Sequence, residues 1–565
     1  MLNHGRSRSW NRFVAVSVVV VTYAVHGTSA AFAQTPDAPP AAEAAIAPEA
    51  KTAEAPVAEA AVEAEKPPAV ISTPAEAQAV PPVVEDVKPA PPPKPKPKPA
   101  PKKKVPPAFP GPKALPPTGP YKQVFFDNDF SYKGKPGAES VSGEEYKLMK
   151  FDFLDTNFVF STGGEVRHRF MSQDNRLQPG GPGQDTYDLW RWRHYIDLKA
   201  GDNLRFYVEG IDAESFGEDL PTQAIDENRW DLQNAFFDVE LFETSTGGTH
   251  TLCTGRQELL FGRQRLVSPL DWANTRRNFE GFNYIVKEKD YKLNLFTVNP
   301  VNSATGFNTV GEFNNKFDEA NRDVFFSGAY YSYTGIENTN IDLYYMWLQD
   351  NIQVPARADG HRHTIGSRYT ELIPVDGGRV WDMDVEGAYQ FGQDNNQDVQ
   401  AGFATGVVGH TWKTAPWSPR LSGLVYYGSG DKSPTDNKNN TFYTMFPLGH
   451  AYWAISDNLA GQNLLDYGMQ FDVKPTKKTA ITGAYHFFNL ASDGDRVYNV
   501  AGAPVGAPGN GTDLGQAFDL YGYYSVNANL DFQAGYSKFY YGDFIDNTTP
   551  RNDASQLYIQ TSIRY

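Results

Sequence analysis

From about residue 155 to the end of the chain, hydrophobic and polar side chains alternate with a period of two in one stretch after another. The clearest stretch runs from Tyr187 to Ala200. There Trp190, Trp192, His194, Ile196, Leu198 and Ala200 share one face, and Arg191, Arg193, Tyr195, Asp197 and Lys199 share the other. A strand turns successive side chains to opposite sides, so this pattern predicts two-faced β-strands rather than helices. Between Asn234 and Leu241, Ala235, Phe237, Val239 and Leu241 oppose Asn234, Asp238 and Glu240. From Trp381 to Phe391, an apolar face of Trp381, Met383, Val385, Tyr389 and Phe391 opposes Asp382, Asp384 and Glu386. At the carboxy terminus Leu557, Ile559, Thr561, Ile563 and the terminal Tyr565 share one face.

Eighteen strands are expected, beginning near residues 159, 187, 203, 230, 250, 281, 291, 323, 339, 361, 379, 400, 418, 464, 478, 517, 530 and 555. Short connections such as Gly201-Asp202-Asn203, Glu288-Lys289-Asp290, Asp376-Gly377-Gly378 and Pro475-Thr476-Lys477 alternate with long ones near 172–186, 214–229, 261–280, 299–322, 429–463 and 490–516. An even number of strands with short turns at one end and long loops at the other predicts an all-β fold, a transmembrane antiparallel β-barrel. Closure has a physical cause. In hydrocarbon each unpaired backbone N–H or C=O costs several kcal/mol, so a lipid-facing sheet has no free edge. A barrel of this size is expected to enclose an aqueous lumen. A soluble sandwich or propeller has no reason to alternate its turn lengths, and no blade-length repeat is evident.

Composition adds the address. Arg6, Arg8 and Arg12 precede an apolar run from Phe13 to Val25 and then Ala31-Phe32-Ala33, the three-part pattern of a signal peptide over residues 1–33. Residues 34–120 hold 25 of the chain's 41 prolines, mixed with Ala, Glu, Lys and Val. Such a segment cannot build a core and is expected to be a disordered spacer, extended where Lys94-Pro95-Lys96-Pro97-Lys98-Pro99 alternates. Residues 121–154 form a lead-in segment, and residues 155–565 the barrel. The expected location is the bacterial outer membrane, with the spacer in the periplasm. The single cysteine, Cys253, excludes an intrachain disulfide and any multi-cysteine metal site. The excess of 67 acidic over 51 basic residues argues against a nucleic-acid partner.

Two stretches resemble a known family. Gly255-Arg256-Gln257-Glu258-Leu259, Gly262, Arg265-Leu266, Pro269-Leu270-Asp271-Trp272-Ala273-Asn274, Arg277 and Phe279-Glu280-Gly281 make up the first. The second is Phe446-Pro447-Leu448-Gly449-His450-Ala451-Tyr452-Trp453, followed by Lys474-Pro475-Thr476-Lys477-Lys478. Both are similar to the alginate export family of outer-membrane porins. The resemblance covers about residues 155–565 and leaves the spacer out. It implies an 18-stranded barrel whose arginine-rich constriction passes an anionic polyuronate by passive diffusion.

A polyuronate carries a carboxylate on each sugar, and the planar guanidinium fork meets it best. By alternation the inward candidates are Arg167, Arg169, Arg191, Arg193, Arg205 and Arg256; the family motif adds Arg277. Asp238, Glu240 and Glu258 are expected among them as the acidic part of a mixed wall, which keeps each site weak enough to release a passing solute. Asp382, Asp384 and Glu386 supply only three of the oxygen ligands that calcium would need, so lumen polarity is their expected role, and neither metal nor cofactor is expected. No G-x-S-x-G elbow or Ser/His/Asp grouping stands out, so the chain is not expected to be an enzyme. The alternatives are a general or nutrient-uptake porin, and an outer-membrane anchor tethered to the cell wall by its Lys/Pro spacer. Expected partners are outer-membrane lipid and an anionic polysaccharide, with peptidoglycan or periplasmic export proteins for the spacer.

Overall fold

A computed structural model of the chain describes residues 119–133, 135, 141–178, 182–301, 317–351 and 359–565. The signal peptide, and the spacer up to residue 118, lie outside the described residues. Eighteen strands form the wall. They are β1 (Thr156–Asp174), β2 (Gln184–Ala200), β3 (Leu204–Phe216), β4 (Asn228–Glu243), β5 (Thr249–Gln257), β6 (Phe279–Lys287), β7 (Tyr291–Pro300), β8 (Val324–Tyr333) and β9 (Thr339–Asp350). The second half comprises β10 (Gly360–Val375), β11 (Arg379–Asp394), β12 (Gln397–Trp412), β13 (Arg420–Gly428), β14 (Leu464–Thr476), β15 (Thr479–Leu490), β16 (Asp513–Ser525), β17 (Leu530–Tyr541) and β18 (Ala554–Arg564). The eighteen starting positions read from alternation fall within four residues of these.

Each strand pairs antiparallel with its neighbours, and β18 closes on β1 from Glu165 opposite Arg564 to Asp174 opposite Ser555. Closure leaves no edge to lipid. Below that register β18 has ended, and a short strand, Met149–Phe153, takes its place beside the first residues of β1. Long loops gather at one end and short turns at the other, with one departure. The hairpin between β11 and β12 turns at the long-loop end in two residues, Asn395 and Asn396, both left-handed (φ 51° and 62°). Asparagine tolerates that conformation, which a two-residue hairpin turn requires.

The outward face carries exposed Phe237, Phe282, Leu343, Ile365, Val385, Met469, Phe471 and Ile559, as a lipid-facing band requires. The interior differs from the open lumen expected of so wide a barrel. Among the described residues, two long connections fold into it: loop A (258–278) and loop B (429–463). Leu259, Phe261, Leu266 and Val267 of loop A and Phe442, Met445, Trp453, Ala454 and Leu459 of loop B join inward rings of the wall, including Phe296, Phe326, Tyr344, Phe403 and Phe488, in one buried apolar cluster. Burying each large side chain contributes roughly 1.5–3 kcal/mol, enough to hold loops inside that would otherwise stay in water. The lead-in segment enters from the short-turn end, burying Tyr121, Val124, Phe125 and Phe130.

Candidate functional site

Loop A crosses the barrel between two groups of charged wall residues. The first lies on β1–β4. Alternation places Arg167, Arg169, Arg191 and Arg193 on the inner side, all buried, with Trp190 and Val166 of the same strands on the other face. Arg191 donates to Glu165 at 2.7 Å, to Asp271 of loop A at 2.9 Å and to the Ala273 carbonyl at 3.2 Å. Arg193 pairs with Glu209 (2.5 Å) and lies 3.9 Å from Glu258. Arg276 of loop A pairs with both Glu258 and Asp271.

Arg167 and Arg169 are held differently. Arg167 donates to the carbonyls of Asp271 (2.8 Å) and Ala273 (2.6 Å) and to the Asn274 amide oxygen (3.3 Å). Arg169 donates to Gln560 at 2.8 Å, and its guanidinium lies 3.7 Å from the centre of the Trp272 ring. Among the described residues neither has a carboxylate within ion-pair distance. Five guanidinium groups (Arg167, Arg169, Arg191, Arg193 and Arg276) thus meet four carboxylates (Glu165, Glu209, Glu258 and Asp271), and Arg564 draws on Glu165 as well (3.3 Å). Neutral partners take hydrogen bonds from Arg167 and Arg169 without cancelling their charge, and the buried Arg167 Nε is left without a partner among the described residues. Asp271 keeps 35% of its side-chain surface open, so the cluster borders free space.

The second group lies on β9–β11. Arg265 of loop A donates to Glu386 at 2.6 Å and to Asp384 at 3.4 Å. Arg368 bonds Asp384 twice (2.9 and 3.0 Å) and Asp342 at 3.1 Å, and Arg263 lies 3.6 Å from Asp384. Three arginines meet three carboxylates. The acidic row on β11 is therefore an arginine anchor; its third member, Asp382, receives Arg420 at 2.7 and 2.9 Å.

The two loops meet in the interior. Phe446 N–H donates to the Leu266 carbonyl and Leu448 N–H to that of Gln264, both at 2.9 Å. Trp272 stacks on His450 with centroids 3.4 Å apart and planes 8° from parallel, and its indole N–H reaches Asp457 at 2.8 Å. His450 Nδ1 pairs with the same carboxylate at 2.8 Å. Burial lowers the pKa of His450 below its usual 6.5, outweighing the pull of Asp457 in the other direction. The two stretches that carried the family resemblance are thus in contact with each other.

Other expected residues scatter. Arg205 pairs with Asp197 at 2.8 Å and Asp238 at 3.5 Å, nearer the short-turn end. Arg256 bonds the carbonyls of Leu232 (3.0 Å) and Asp318 (2.5 Å). Arg277 folds inward to the carbonyls of Ser268 (3.3 Å) and Pro447 (3.2 Å), joining the loops instead of the wall cluster. Glu240 is half-buried, and among the described residues its carboxylate pairs with none of these arginines. Arg362, Arg368, Arg420 and Arg564 were missed. Arg362 and Arg368 had a signal, sharing one face of β10 with Thr364 and Thr370. A cavity of about 460 Å³ at the long-loop end is lined by Arg362, Asp394, Tyr443 and Phe446, among others.

The family model for alginate export matches residues 158–558. No curated protein matches the chain. Solved structures similar to it include three from Pseudomonas aeruginosa. The outer membrane protein OprD is 11% identical, with 72% of this chain and 93% of that one covered and a TM-score of 0.47. The outer membrane protein OpdK is 10% identical (72% and 98% covered, TM-score 0.48), and OccK5 is 12% identical (72% and 97%, TM-score 0.46). With its closed 18-stranded wall and a family match over most of its length, the chain belongs to the alginate export family and is an outer-membrane porin.

Proposed function

We propose that this porin passes an anionic polysaccharide of the polyuronate kind, or a related anionic solute, by passive diffusion along an arginine-lined path beside loop A. The observation that carries this reading is the unmatched charge of Arg167 and Arg169, held by carbonyls, an amide and a ring. A carboxylate passing such groups gains a charge-assisted hydrogen bond, which neutral partners supply only weakly. Arg191, Arg193 and Arg276 extend the path, with Glu165 orienting Arg191, Glu258 orienting Arg193 and Arg276, and Asp238 doing the same for Arg205. The protein acts as a channel and not as an enzyme. Its spacer lies in the periplasm, where peptidoglycan or export proteins are the partners it would meet.

The filled interior favours a second reading, a porin for small anionic nutrients, because two loops occupy cross-section that a polymer needs. Reconstitution in a planar bilayer separates the two. The polymer reading expects anion-selective current blocked far more strongly by an oligouronate than by a monomeric uronate at equal carboxylate concentration. Equal block supports the nutrient porin, and cation selectivity defeats both.

A further inference from the structure

The lead-in segment is the feature that the proposed path does not use. Residues 119–133 run into the short-turn mouth and touch three separate parts of the barrel. Against the wall, Phe125 packs on Tyr195 (5.8 Å between centroids), and Phe126 meets Tyr207 (5.8 Å) and Phe236 (5.3 Å) edge-on. The Arg193 guanidinium sits 4.0 Å over the Phe125 ring, and Arg205 donates to the Phe126 carbonyl at 2.7 Å. Against loop A, the amides of Gln123 and Gln264 exchange hydrogen bonds of 3.0 and 2.9 Å, and Arg276 donates to the Gln123 carbonyl at 3.1 Å. At the rim, Asn529 donates to the Tyr121 hydroxyl at 3.1 Å.

We infer that residues 121–131 are a built-in, displaceable plug, which closes the short-turn mouth by occupying Arg193, Arg205 and Arg276 and leaves when solute passes. Every hydrogen bond or ring contact it offers those three arginines is neutral: two carbonyls and an aromatic face. A carboxylate offers each a hydrogen bond roughly twice as strong, so an anion arriving at the mouth competes on favourable terms. The remaining hold is the neutral Gln123–Gln264 amide pair, the Asn529–Tyr121 hydrogen bond and an apolar contact. The apolar contact comes from two phenylalanines on a shelf of Tyr195, Tyr207 and Phe236, and it re-forms when the anion has gone.

The chain carries its own reporter. Cys253, its single cysteine, is buried in the same apolar cluster as Phe125, Tyr195, Tyr207 and Phe236. Thiol reactivity of Cys253 toward a charged methanethiosulfonate reagent is measured on the detergent-purified full chain, on the Phe125→Ala/Phe126→Ala variant and on a chain lacking residues 121–131. Chloride current through each is measured in a planar bilayer, so the result does not depend on which solute the porin serves. Slow labelling of the full chain, at least tenfold faster labelling of both variants and several-fold more current are expected. A second pair tests the reverse. A Cβ placed on Gly119 would lie 2.6 Å from the Ala528 Cβ, close enough for a disulfide after a shift of about 1 Å. Gly119→Cys with Ala528→Cys, in a Cys253→Ala background, should lose its openings when oxidised and regain them with reductant. Rapid labelling of the intact chain overturns the plug. So does unchanged current in both variants, whatever the labelling, or a lock that leaves the openings as they were.

Discussion

The two arginine groups that loop A touches are built from the same residue types and differ in what faces them. On β9–β11, three guanidinium groups share three carboxylates at 2.6–3.6 Å, and the charge closes on itself. On β1–β4, carboxylates bind Arg191 and Arg193, while Arg167 and Arg169 take backbone carbonyls, amides and an indole. A buried guanidinium needs its donors satisfied, but satisfaction and neutralisation are separate things. The matched group is a clamp that fixes the loop. The mismatched group holds one more guanidinium than it has carboxylates.

The comparison breaks most visibly at Asp384, which serves three arginines. Asp384→Asn leaves Arg265, Arg368 and Arg263 with one carboxylate fewer, and removing one partner of a buried pair costs about 3–5 kcal/mol. Urea unfolding in detergent should show that loss, and a change under about 1 kcal/mol would mean that the clamp is not one. Arg167→Gln with Arg169→Gln breaks no ion pair and should cost less stability than Asp384→Asn, while lowering the anion-to-cation permeability ratio several-fold. An unchanged ratio from reversal-potential measurements would remove the mismatch from the transport account.

Acid sharpens the picture at the contact between the loops. With its pKa lowered in the docked loops, His450 is neutral there, and the undocked state binds more protons below 6.5. Docking is therefore fully stable above that value and weakens as pH falls through the lowered one. Asp457, Arg169 and Asp519 face the ring, and the pKa of Asp457 is itself lowered: burial raises it, but the His450 charge and hydrogen bond outweigh that. Its effect has the same sign and sets in at lower pH. Channel openings should become more frequent as pH falls below about 6.5, and His450→Gln should flatten that dependence. The smallest effect belongs to Glu240→Gln, expected to change stability by less than about 0.5 kcal/mol and selectivity not at all.

The wall was legible because its cause is local. Lipid outside and polar groups inside impose a period of two on every strand, and Trp190, Arg191, Trp192 and Arg193 show it without any partner in view. The same rule put Arg167, Arg169, Arg191 and Arg193 on the inner side, and it would have found Arg362 and Arg368 had β10 been read for it. Loop A and loop B have no period. Nothing in Asp271 announces that it meets Arg191, 80 residues earlier, or in Trp272 that it will stack on His450. The lead-in segment reads only as a polar stretch with five scattered phenylalanines, Phe125, Phe126, Phe130, Phe151 and Phe153.

The sequence by itself determined the number of strands, their near boundaries, which side chains meet lipid and where the positive residues of the wall stand, because each follows from neighbours two residues apart. Tertiary structure alone decided that the interior is occupied, that the acidic row of β11 is spent on Arg265 and Arg368, and that Arg167 and Arg169 go without a carboxylate. Those outcomes depend on which distant loop reaches which wall group first, and on apolar burial that a strand pattern does not record.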